Sequence, residues 1–136
     1  MRFDTKIAIV IREDLGVWRK LNLACCLSGG LVGAYPELAG KRYIDGSGRA
    51  YGPLVRQPML VFQATGPQLA DAPRRAWERG VSPSLYTQAL FATGNDVDNR
   101  AAVAAVPTDA LDPAGLGLHA VRKDVDWIVN GLALHS

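Results

Sequence analysis

Two hydrophobic periods alternate along the chain. "KIAIVIR" (6–12) is a nearly unbroken β-branched run, the pattern of a strand covered on both faces. From 17 to 35, "VWRKLNLACCLSGGLVGAY" follows the helical period instead. Val17, Leu21, Ala24, Cys25, Ser28, Leu31 and Val32 recur as the stripe expected to be buried. Gly29, Gly30 and Gly33 interrupt this helix, and each costs it about 1 kcal/mol relative to Ala. That cost predicts a neighbouring backbone held close against the helix. Pro36 ends it.

Turn-rich "DGSG" within 41–53 separates short β-prone pieces and predicts a surface hairpin. "PMLVFQAT" (58–65) reads as a second buried strand, and 66–80 as a helix stopped by Gly80 and kinked or restarted at Pro73. The pattern then predicts a third strand over 82–94, a fourth over 100–108, a loop over 109–117, and a last helix from 123 running into a short extended tail. Alternating strands and helices argue for an α/β fold. The expectation is a three-layer α/β/α domain over 1–136, with a mixed, largely parallel sheet of about four strands. Ligands in such sheets sit at the carboxyl ends of the strands. That rule gathers 12–20, 63–66 and 91–99 at one rim.

Composition narrows the function classes. The 136 residues suffice for one domain that buries roughly two-thirds of its unfolded surface. Fifteen Lys and Arg against 13 Asp and Glu leave a formal charge of +2, no footprint for nucleic acid by itself. Cys25 and Cys26 are adjacent, so a bridge between them would be strained. The reading is a reduced thiol pair in a cytoplasmic protein with no membrane association. Two scattered histidines argue against zinc, and "TGNDVDN" (93–99) lacks the Gly and Glu of a calcium loop, so no metal or cofactor is expected.

The strand-to-helix corner "REDLGVWRKLN" (12–22) holds the chemistry. Arg12 and Asp14 could grip a phosphate and orient a lysine, or simply pair and cap the helix. Arg19 and Lys20 place cations beside the positive end of a helix, a conflict that an anionic ligand would relieve. Asn22, bordered by Leu21 and Leu23, is a further candidate contact. Thr93, Asn95 and Asn99 should reach the same rim. Cys25 lacks an assignable base and reads as a small buried thiol.

The stretch "KIAIVIREDLGVWRKLNLAC" (6–25) and the ending "VDWIVNGLALH" (125–135) resemble the type II peptidyl-tRNA hydrolase superfamily. The likeness is closer to the group catalogued as domain-of-unknown-function family 2000, which "WRKLN" (18–22) favours. The hydrolases carry a Gly-Lys-x-x-Ala-Gln-x-x-His-Ala run at this place. An ungapped overlay puts Leu21 at the lysine, Ala24 at the alanine, Cys25 at the glutamine and Ser28 at the histidine. Gln88 replaces the acid of their later corner, and Thr93 is displaced by one. The resemblance therefore implies a peptidyl-tRNA hydrolase II-like fold with most of the catalytic set exchanged. The leading expectation is a protein binding a small anion, nucleotide or RNA end at Arg12, Arg19, Lys20, Asn22, Thr93, Asn95 and Asn99. The alternatives are an esterase acting on peptidyl-tRNA, with Lys20 and Asp14 as catalytic candidates, and a dimeric interaction protein. Superfamily relatives form dimers, and Trp18, Tyr35, Tyr43 and Tyr51 would supply the contact surface of a homodimer.

Overall fold

The computed structural model describes residues 2–136 as seven strands, four α-helices and short 3₁₀ turns. Strand β1 (Thr5–Arg12) enters α1 (Val17–Ala34) through the corner at 13–16. A small hairpin follows, β2 (Tyr43–Ile44) and β3 (Ala50–Tyr51), and then β4 (Met59–Ala64) and α2 (Gly66–Glu78). The second half holds β5 (Ser84–Thr87), α3 (Asp96–Ala104), β6 (Pro113–Val121), α4 (Arg122–Ile128) and β7 (Ala133–Leu134).

The main sheet has the order β5-β6-β1-β4-β7. Only β1 and β4 run parallel, with Ile9 beside Val61; the β1–β6, β5–β6 and β4–β7 pairs are antiparallel. The sheet is thus mixed and five-stranded, and the expectation of a largely parallel sheet is corrected. Pleating sends alternate β1 residues to opposite faces. Ala8 and Val10 pack with Leu69, Val125 and Ile128 from α2 and α4, whereas Ile7, Ile9 and Ile11 pack with Leu23, Leu27 and Leu31 of α1. The two apolar layers account for the unbroken run of β1.

Three elements differ from the sequence-based reading. The loop expected over 109–117 opens into β6, which lies between β5 and β1 and is buried through Pro113–Leu118. Glycines disguised it. A Cβ on Gly115 would stand 2.5 Å from Leu23 Cδ1, and one on Gly117 would stand 3.2 Å from Leu31 Cδ1. The close helix approach therefore uses strand glycines rather than those of the helix. Second, 100–108 is not a strand but mostly α3, which begins where the Asn95 side chain accepts the Asp98 N–H at 2.8 Å. Third, only 84–87 of the third predicted strand is extended; 88–92 winds into a 3₁₀ turn.

Helix α1 is also rotated from the expected phase. Leu23, Leu27 and Leu31 form its buried stripe, while Val17 and Leu21 are 73% and 63% exposed. Cys25, expected to be buried, is exposed, as is Cys26, and both are free thiols. Helix α2 runs through Pro73 as one element, opened by a Thr65/Gln68 capping box and ended at Gly80 with φ +68°.

Candidate functional site

Arg12 ends β1, and two nitrogens of its guanidinium are tied into the fold. Nε donates to Asp14 at 2.8 Å and a terminal nitrogen donates to Asp112 at 3.1 Å. It lies flat against Gly66, where a Cβ would be 3.4 Å from Cζ. The residue ties the end of β1 to the start of α2 and to the approach to β6. Asp14 above all, then Asp112, raises its already high pKa further. Both members of the proposed phosphate grip serve this corner.

Helix geometry divides the other candidates. Successive residues turn by about 100°, so positions 20 and 22 face nearly opposite sides. Arg19 and Asn22 lie on the side of β5: the Arg19 guanidinium stacks 4.8 Å above the Phe91 ring, and Asn22 Nδ2 donates to Tyr86 Oη at 3.3 Å. Burial, chiefly, and the neighbouring Cys26 raise the Tyr86 pKa, against the lowering contact of Asn22. The 93–99 segment is occupied with itself. Thr93 Oγ1 donates to the Leu90 carbonyl at 2.9 Å and meets the Asn99 side chain, while Asn95 caps α3. Asn99 does border an open cavity of about 650 Å³ between α1, β5 and α3, walled by Leu27, Leu90 and Val103. Arg100, the cation in that cavity, is paired with Asp96. The structure therefore does not bring Arg12, Arg19, Asn22, Thr93, Asn95 and Asn99 into one site with Lys20.

Lys20 points to the opposite side, over the uncovered β4–β7 edge. There its Nζ donates to His135 Nε2 at 3.0 Å. An ammonium can only donate, so Nε2 accepts and the ring proton sits on Nδ1, which donates to the Ser136 backbone oxygen at 2.9 Å. The His135 N–H donates to the Val61 carbonyl at 2.9 Å, extending the β7–β4 ladder and turning the imidazole toward α1. Among the described residues, no carboxylate lies within ion-pairing distance of Lys20. The pair borders a cavity of about 430 Å³, whose other walls are Ile11, Val17, Leu21, Ala24, Val61 and Ser136. A lysine without a carboxylate partner and an imidazole thus border a mainly apolar trough.

His135 was not a sequence candidate. It is 115 residues from Lys20, and no local pattern announces that the tail adds a strand beside β4. Lys20 was legible, through the misplaced charge at the helix start.

A mixed five-stranded sheet with helices on both faces defines an α/β protein, and in this chain a Lys–His trough lies at one edge of it. The family model described as protein of unknown function (DUF2000) matches residues 5–136, and the chain belongs to that family. A solved structure, the protein of unknown function Atu0240 from Agrobacterium tumefaciens strain C58, is similar at 41% identity with a TM-score of 0.95. The match covers 99% of this chain and 100% of that one. No curated protein matches the chain. Among the described residues, no helix is long and apolar enough to cross a membrane.

Proposed function

We propose that this protein binds a small amphiphilic anion, its charged group at Lys20 and His135 and its carbon skeleton along Ile11, Val17, Leu21 and Val61. The observation that carries this reading is the Lys20 ammonium, without a carboxylate partner, bordering a cavity walled mainly by apolar side chains. A volume of about 430 Å³ lies within the range typical of small-molecule sites, which pair apolar walls with a few placed polar groups. The resemblance of residues 6–25 to the type II peptidyl-tRNA hydrolases also favours a ligand near this strand-to-helix corner.

Thermal unfolding with octanoate, octyl phosphate and inorganic phosphate tests it. A ligand at about a hundred times its Kd stabilises the folded state by about 2.7 kcal/mol. The expected result is stabilisation by the alkyl anions beyond that by phosphate, lost in Lys20→Ala. No stabilisation by either alkyl anion, or an undiminished one in Lys20→Ala, would refute the proposal.

The His135 imidazole favours a second reading, ester hydrolysis, because it supplies the base that neither Asp14 nor Asn22 offers to Lys20. Single-turnover hydrolysis of an N-acylated aminoacyl-tRNA decides it. Release of free tRNA that falls at least roughly tenfold in both Lys20→Ala and His135→Ala is expected if the pair is catalytic. No release at high protein concentration removes that reading and leaves binding.

A further inference from the structure

The ribbon that carries β2 and β3 stands out from the fold. Its foot is fixed: the carbonyl of buried Leu38 accepts the Arg56 N–H, and the Gly40 N–H donates to the Leu54 carbonyl, both at 2.8 Å. Beyond that foot every residue from 41 to 54 is exposed. A two-stranded hairpin on its own is marginal in water. This one is ordered by its turn, where the Asp45 carboxylate accepts the Ser47 and Arg49 N–H groups at 2.9 Å and the Tyr51 hydroxyl at 2.6 Å. The chain thus builds a shaped ribbon that its own core does not use.

Positive charge is concentrated there. Residues 41–56 hold Lys41, Arg42, Arg49 and Arg56 against Asp45 alone, a net +3 in a chain whose total is +2, so the remainder is slightly acidic. Among the described residues, none of these four cations has a carboxylate within ion-pairing distance, and the hydrogen bonds of Asp45 are spent on the turn. Arg42 uses only Nε, which donates to the Tyr51 carbonyl at 3.4 Å. Apolar groups accompany the charge. Pleating sets Tyr43 beside Tyr51 on one face and Ile44 beside Ala50 on the other. The two tyrosines are half-exposed, and Ile44 and Leu54 are 63% and 62% exposed.

We propose that this ribbon docks an acidic segment of a partner protein, its carboxylates on Lys41, Arg42 and Arg49 and its apolar side chains on Ile44, Leu54 and the tyrosine pair. Charge complementarity selects the occupant, since four cations without carboxylate partners attract an anionic chain and repel a basic one. Tyr and Arg are also the side chains that protein interfaces favour. A single-stranded nucleic acid would use the cations and the rings, but it gives the aliphatic Ile44 and Leu54 no role. A lipid surface would meet the tip first, and the tip at 45–48 presents a carboxylate and two glycines rather than an apolar wedge. The ribbon shares no residue with the Lys20–His135 trough, so neither reading rests on the other.

Short random peptides displayed on phage and selected on the whole protein supply the probe. The selected sequences should be rich in Asp and Glu interspersed with apolar residues. Synthesised, they should bind less tightly as salt rises. Arg42→Glu combined with Arg49→Glu should raise their Kd at least roughly tenfold, and Ile44→Ser should do the same. Thermal unfolding should stay unchanged in both variants, because 41–54 lies outside the core. No enriched peptide, enrichment without an acidic bias, or binding indifferent to either variant would overturn the inference. Tighter binding of oligouridylate, or of phosphatidylserine vesicles, lost in the same charge-reversed variant, would overturn it in favour of a nucleic acid or a lipid surface.

Discussion

Single residues show how far a local conflict can be read. Lys20 stood out in the sequence because a cation beside a helix N-terminus is unfavourable, and the structure gives it His135 rather than a carboxylate. Arg12 stood out with Asp14 as a phosphate grip or local pair, and it pairs with Asp14 and Asp112, a structural role. The chemical type and the near partner Asp14 were legible; Asp112 and His135, 100 and 115 positions away from Arg12 and Lys20, were not. His119, set aside in the sequence as a scattered histidine, has a role in the fold. It lies edge-on to Tyr35, with ring centroids 4.5 Å apart, and its Nδ1 is buried without a hydrogen-bond partner. Burial chiefly lowers its pKa, reinforced by Arg56 and opposed by Glu37. The unfolded chain therefore takes up a proton first as pH falls through the ordinary histidine value of about 6.5. His119 contributes stability above that pH and loses it progressively on acidification toward its lowered folded value. Urea midpoints measured across this interval should fall for wild type and fall less for His119→Leu. Equal slopes would remove His119 from the pH dependence.

Among elements, β1 and α1 were legible because each has a strong period of its own, and the end of α2 because Gly80 marks it, while the Thr65/Gln68 capping box at its start went unread. The rotation of α1 was not legible, since its outer face is also uncharged and two stripes compete. Strand β6 was missed because Gly115 and Gly117 are poor strand formers whose use appears only when α1 lies across them. Two substitutions separate these glycine roles. Gly115→Ala should cost about 1–3 kcal/mol, because its Cβ meets Leu23 at 2.5 Å and the Val10 carbonyl at 3.2 Å. Gly29→Ala, in protein dilute enough to be monomeric, should add about 0.4–1 kcal/mol. Denaturant titration reads both, and equal effects would contradict the assignment of the close approach to β6. Thr65→Ala should cost about 1 kcal/mol through loss of the α2 cap, measured the same way.

For the whole molecule, the order β5-β6-β1-β4-β7 makes β6 the strand on which both helical layers rest. Leu116, with 0% exposure, should therefore cost about 2–5 kcal/mol when replaced by Ala, in one cooperative transition. A loss near zero would mean that 113–121 is peripheral, as the loop reading supposed. By itself the sequence determined what neighbouring residues decide: an α/β class, a buried first strand leading into a helix, the hairpin, the stop of α2 at Gly80, and family membership through the 6–25 corner. Tertiary structure alone decided the antiparallel character of the sheet, the phase of α1 and the meeting of Lys20 with His135. Periodicity and capping are local energies, written in residues a few positions apart. Strand order, helix rotation and the site depend on which distant surfaces fit, and here that fit turns on two glycines in β6 and on a tail that pairs with β4.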